Sequence, residues 1–304
     1  KGYMRGCVTS SIRAIWMSDK NGGISLVNLA KIKLVKAEFL FQQVRQKKSL
    51  LCIGLDTDPQ KIPSHLHKEA DPVFAFNKAI VEATHDLAIA YKPNIAFYEA
   101  QGPKGWESLA RTLEVIPDEV MVIADAKRGD IGNTSRMYAQ TFFEQYDFDA
   151  ITVAPYMGSD SVGPFLEFEE KWVFLLGLTS NPGAQDFQFF PETQPLYQRV
   201  LTTAQTWPKA TGTELGFVVG ATKAEKLQEI RALAPEAWLL VPGVGAQGGS
   251  VEAVCQHGMN DRGGLLINSS RGIIYAGKEA DFAEQARKAA RKLQSQMQPF
   301  VEKL

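Results

Sequence analysis

The stretch "DAKRGDIGNT", residues 125–134, places Asp125, Lys127, Arg128 and Asp130 within six positions, directly after the apolar run "VMVI". Asp125 and Lys127 are two residues apart. On a β-strand they leave the same face, so both can point into one site. Asp130 falls in the following turn, where Gly129 tolerates unusual backbone angles. Lys92, in "AIAYKPN", ends the preceding apolar run. With strands about 4.8 Å apart, its ammonium comes within reach of Asp125. The expected result is an alternating array of Lys92, Asp125, Lys127 and Asp130.

Such an array can be held partly out of water because each acid neutralises a base. At roughly 4 Å and an effective dielectric near 20, each contact is worth about 4 kcal/mol before desolvation is subtracted. It sets a proton donor, Lys127, beside fixed negative charge. That suits a reaction in which a carboxylate leaves and a carbanion needs a proton. A structural salt-bridge cluster at a rim is the plain alternative. Arg128-Gly129-Asp130 is also an adhesion tripeptide, but that role needs an exposed extracellular loop, and here it follows a buried strand.

"GVGAQGG" (243–249) matches G-x-G-x-x-G between an apolar run and the helix-like "SVEAVCQHG". It comes too late in the chain for a dinucleotide fingerprint, which also needs an acid about 20 residues on, where Asn268 stands. Its glycines still let backbone N–H groups close on an anion at a helix N-terminus. "NSSRG" then offers Arg271 for a bidentate phosphate contact. Together the two loops favour a phosphorylated ligand. His65 and His67 in "HLH" have no evident third ligand and fit a solvated loop; no metal site is expected.

The elements that must position these groups are regular. Eight short apolar runs recur, at 50–56, 88–94, 120–127, 150–156, 172–180, 215–222, 238–245 and 265–271. Their near-continuous hydrophobicity indicates parallel strands buried on both faces. Amphipathic stretches such as "FAFNKAIVEATHDLA" and "ATKAEKLQEIRALAP" alternate with them, and "VKAEFLFQQVRQKK" forms an extra helix in front. The pattern predicts a single (β/α)₈ barrel over residues 37–304. Asp56, Lys92, Asp125, Lys127, Ser180, the glycines 243–249 and Arg271 all fall at run ends. In such barrels the C-terminal strand ends carry the active site. The connection 181–214, with "NPGAQDFQFFPETQP", reads as an active-site loop.

Charge and cysteines narrow the classes. The net charge is −1, yet residues 1–36 hold seven of the 33 Lys/Arg and one of the 34 Asp/Glu, leaving the remainder at −7. An acidic body excludes attraction to nucleic acid or to anionic lipid. Three scattered cysteines without C-x-x-C fit reduced thiols in a cytoplasmic protein. No apolar run reaches the roughly 18 residues of a membrane span. Residues 1–36, basic and acid-poor, read as a leader or extension outside the fold.

"ADAKRGDIGNT" with "YKPNIAFYE", "TSNPGAQ" and "PGVGAQGG" resembles the orotidine 5′-phosphate decarboxylases, specifically their longer bacterial subgroup, over about residues 37–280. The resemblance implies a (β/α)₈ barrel that decarboxylates orotidine 5′-monophosphate to uridine 5′-monophosphate as a homodimer, without cofactor or metal. Carried over by motif, the tetrad is Lys92, Asp125, Lys127 and Asp130, with Lys127 the acid that protonates C6. Asp130 and Thr134 would complete the partner's site. Asp56 would bind ribose hydroxyls with Lys92, Ser180 and Gln247 the pyrimidine, and Gln247, Gly248 and Arg271 the phosphate. Where the family often has Gly before that Arg, this chain has Ser270. A Mg²⁺-dependent sugar-phosphate enzyme of the same barrel superfamily and a non-catalytic nucleotide-binding barrel are the rival readings.

Overall fold

The computed structural model describes residues 15–18, 24–27, 37–220, 224–244 and 249–304. The chain divides into two compact units, 1–34 and 35–304. In the first, strands β1 (Ile15–Ser18) and β2 (Ile24–Val27) pair antiparallel.

The second unit is a closed barrel of eight parallel strands. They are β3 (Leu51–Leu55), β4 (Ala90–Pro93), β5 (Met121–Arg128), β6 (Ala150–Val153), β7 (Trp172–Leu178), β8 (Glu214–Val219), β9 (Leu239–Pro242) and β10 (Leu265–Ser269). Each strand pairs with the next in sequence, and β10 closes against β3. All eight apolar runs became barrel strands. Every residue of β3, β4, β6 and β10 is buried. This is why the runs show continuous hydrophobicity instead of alternation: one face fills the barrel and the other meets helices.

Local chemistry sets where the helices start and stop. Asp71 caps the helix Pro72–Thr84 by accepting from the Phe74 N–H at 3.0 Å, and Pro72 occupies the first turn, where its missing N–H costs nothing. Ser250 caps Val251–Gly258 in the same way. The expected front helix spans Ala37–Lys47, and a 20-residue helix, Phe282–Val301, ends the chain. At the N-terminal end of the barrel, Arg231 donates to the carbonyls of Ala234, Pro235, Ala237, Gly258 and Gly264, tying together the approaches to β9 and β10. Among the described residues no helix is long and apolar enough to cross a membrane.

Candidate active site

Lys92, Asp125 and Lys127 meet at the C-terminal end of β4 and β5. Lys92 Nζ donates to Asp125 Oδ2 at 2.5 Å, and Lys127 Nζ donates to Asp125 Oδ1. Lys92 is 4% exposed and Asp125 9%, whereas the Lys127 side chain is half exposed and open to a ligand. Burial alone would push the Asp125 carboxyl up. The Lys92 and Lys127 ammoniums outweigh it and hold the group at about 2. Burial likewise disfavours the Lys92 ammonium, but the charges of Asp125 and Asp56 more than compensate and raise its pKa. The pair is therefore ionised on both sides.

The strand that carries this array is not regular. Ala124 pairs with Ile151 and Arg128 with Val153, so β5 holds extra residues against β6. Lys127 takes φ = +48°, a left-handed conformation costly for any residue but glycine. Thr152 of β6 faces the bulge. Its Oγ1 accepts the Lys127 N–H at 2.9 Å and donates to Asp125 Oδ1 at 3.2 Å. The sequence reading missed Thr152, which lies inside an ordinary apolar run.

Among the described residues Asp130 forms no ion pair with the other three. Its carboxylate accepts from the Ile131 N–H at 2.8 Å, and Thr134 is exposed on the helix Gly132–Gln140. One chain therefore assembles three members of the expected four. Arg128 is committed elsewhere: it pairs with Glu99 and lies over the rings of Tyr138 and Phe142, 5.3 and 5.5 Å from their centroids. A guanidinium engaged in this way is not displayed for adhesion, so the Arg-Gly-Asp alternative loses its physical basis.

Asp56 follows β3, and its Oδ1 is buried with no hydrogen-bond partner among the described residues. The Tyr275 hydroxyl fixes this corner by donating to the Asp56 carbonyl and accepting from the Asp58 N–H. Ser180 follows β7 at a cavity of about 160 Å³ that Thr179, Asn181, Gln185 and Lys226 also line. A side chain at Gly220 would come within 2.8 Å of Ser180, so glycine there lets β8 end against this loop. Gln188 reaches back to Thr179, accepting from its N–H and donating to its hydroxyl at 2.8 and 2.7 Å. The loop read from "NPGAQDFQ" is thus latched beside Ser180.

Of the expected phosphate site, Gln247 and Gly248 lie outside the described residues. Val244 bridges to Gly249, and the helix from Val251 opens directly behind. Arg271 is exposed at the first position of the short helix Arg271–Ile274. Ser270, the departure from the family pattern, donates to the Gly54 carbonyl at 3.2 Å. A Cβ on Gly54 would lie 2.7 Å from that of Ser270, so the two residues fit as a pair. His65 and His67 lie on an exposed 3₁₀ turn, and no three potential metal ligands cluster among the described residues.

Comparison with known proteins agrees with this geometry. Residues 49–286 match the model of the orotidine 5′-phosphate decarboxylase / HUMPS family. The orotidine 5′-phosphate decarboxylase of Christiangramia forsetii is 58% identical over 269 residues, covering 87% of this chain and 98% of the relative. That of Flavobacterium johnsoniae is 56% identical over 267 residues, covering 86% and 97%. A solved Leishmania donovani OMP decarboxylase superposes with a TM-score of 0.76 at 37% identity, covering 88% of this chain and all of that one. With its barrel closed and its Lys-Asp-Lys array at the mouth, the chain belongs to the orotidine 5′-phosphate decarboxylase family.

Proposed function

We propose that this chain converts orotidine 5′-monophosphate to uridine 5′-monophosphate and CO₂, with Lys127 as the proton donor and no cofactor. The observation that carries the reading is the Lys92–Asp125–Lys127 array, ionised and held at the C-terminal mouth of the barrel. The bond from C6 to the carboxylate breaks, CO₂ departs, and the electron pair stays on C6. The pyrimidine offers that pair no electron sink, so stabilisation must come from preorganised charge. The Lys127 ammonium supplies it, then transfers a proton to C6 and is reprotonated from solvent.

The remaining residues bind and orient. Asp56, with its unpartnered buried oxygen, accepts from ribose hydroxyls, and the Lys92 ammonium donates to them. Ser180 and Gln247 hold the pyrimidine; Gln247, Gly248 and Arg271 hold the phosphate. Grip on the phosphate, remote from C6, supplies binding energy for assembling the site. Asp130, which pairs with no lysine among the described residues of its own chain, and the exposed Thr134 complete the partner's site in a homodimer. The catalytic unit is the barrel, and residues 1–36 take no part in the chemistry. The enzyme acts in the cytoplasm. The rival Mg²⁺-dependent chemistry is disfavoured by Lys92, whose buried ammonium would repel a divalent cation at the same strand ends.

The test is the ultraviolet absorbance change of orotidine 5′-monophosphate with purified protein in EDTA, beside Lys127→Ala. Rapid loss of substrate with the natural protein and none with the variant supports the proposal. Tight binding of uridine 5′-monophosphate without turnover overturns it.

A further inference from the structure

We infer that Thr152 is a positioning residue of the reaction: its single hydroxyl fixes the Lys127 backbone and the Asp125 carboxylate to one point on β6. The inference rests on the reading above, in which Lys127 protonates C6.

The need for such a residue follows from the bulge. Between Ala124↔Ile151 and Arg128↔Val153, β5 has three intervening residues where β6 has only Thr152. A regular parallel ladder would satisfy the Lys127 N–H with a β6 carbonyl. Here the N–H goes to Thr152 Oγ1 at 2.9 Å, and the ladder resumes beyond it, with the Ala154 N–H donating to the Arg128 carbonyl at 2.8 Å. The hydroxyl thus replaces one rung of the sheet. Its own hydrogen is directed to Asp125 Oδ1 at 3.2 Å, the oxygen that also receives Lys127 Nζ.

Two hydrogen bonds thus converge on one atom. Thr152 is 1% exposed, and as a β-branched strand residue its χ1 is stiff, so Oγ1 is a fixed reference point. A left-handed lysine is strained and persists only where neighbours over-determine it. The N–H bond to Thr152 does this at the backbone, while the bond to Asp125 fixes the carboxylate that aims the ammonium. The residues proposed to hold phosphate and pyrimidine, Ser180, Gln247, Gly248 and Arg271, belong to loops after other strands and make no hydrogen bond to Thr152 among the described residues.

Loss of the hydroxyl should therefore act on turnover and not on ligand affinity. Thr152→Val keeps size and branching but removes both hydrogen bonds. Misplacing a reacting group by about 1 Å can cost on the order of a hundredfold in rate. The expected result is a kcat reduced by roughly ten- to a hundredfold, with the Kd for uridine 5′-monophosphate within about threefold of the natural protein. Thr152→Ser restores the hydroxyl and should recover most of the lost kcat. Three results would overturn the inference: a Thr152→Val kcat equal to wild type, equal losses in Val and Ser variants, or nucleotide affinity falling in step with kcat. Lys127→Ala, assayed in parallel, separates the two layers. If that variant turns over, the Lys127 reading fails and this inference with it. If it is inactive while Thr152→Val is fully active, only the inference fails.

Discussion

Replacing Asp125 by Asn keeps the shape of the side chain and removes the charge that neutralises two ammoniums. The Lys127 partner is half exposed, and solvent screening reduces that contact to about 0–1 kcal/mol. The Lys92 contact is different, because both groups are nearly inaccessible. Removing one member of a buried pair typically costs about 3–5 kcal/mol, since the other is left uncompensated. Linkage gives an independent figure. The Asp125 carboxyl is held at about 2 against an ordinary 3.8, which corresponds to about 2 kcal/mol of stability at neutral pH. The larger figure also includes the stranded Lys92, so the two agree in order. The sign is that of a depressed carboxyl: the contribution is complete above pH 4, about half gone by pH 3, and lost as pH falls through about 2. Urea unfolding of wild type and Asp125→Asn should differ by about 3–5 kcal/mol at pH 7, or roughly 6–10 °C in Tm for a barrel of this size. The gap should narrow as the solution is acidified toward pH 3. Equal stability at pH 7, or a gap that does not change with acid, would refute an ionised, buried Lys92–Asp125 pair.

Arg231→Met should remove five hydrogen bonds at the N-terminal end of the barrel and lower Tm by several degrees, while kcat at 25 °C stays within about twofold, because that end of the fold supports stability and not chemistry. Thermal denaturation paired with initial rates tests this, and a selective loss of kcat would count against it. Cys52 and Cys255 are buried, and burial pushes both thiols up to about 12. With Cys7 replaced by Ser, the native protein should release no chromophore from a disulfide reagent within minutes, and two equivalents in denaturant. Rapid native labelling of either thiol would show that its strand or helix opens.

The barrel was legible because its evidence is one-dimensional. A strand buried on both faces leaves a continuous apolar run, and eight such runs at regular spacing admit few architectures. The polar residues ending those runs were legible for the same reason: a charge directly after a buried strand sits at a rim. Lys92 and Asp125 were found in this way, and their ion pair follows from neighbouring strands. Asp130 follows β5, as its place after the apolar run implies, but whether it pairs with Lys127 in one chain depends on how that segment folds. The Ser270–Gly54 fit and the Gln188 latch onto Thr179 left no trace in composition, since each depends on two segments brought together by the closed barrel.

The Asp125–Lys127 pair shows why the remainder was hidden. Two residues apart on a flat strand share a face, and that argument correctly placed both at one site. Yet a flat strand would set their Cα atoms about 6.6 Å apart and send the long lysine outward, parallel to the carboxylate. The contact seen here instead uses a register shift and a left-handed lysine. Neither can be read from residues 125–127 alone, because what tolerates them is a hydroxyl 25 residues later on the next strand. A threonine in an apolar run looks like any β-branched strand former. Its meaning comes from the gap in the ladder it faces. An unpaired N–H and a carboxylate lone pair at that gap would each cost about 1–3 kcal/mol if buried without a partner. One side chain satisfies both, and in doing so it determines where the ammonium lies relative to the acid beside it.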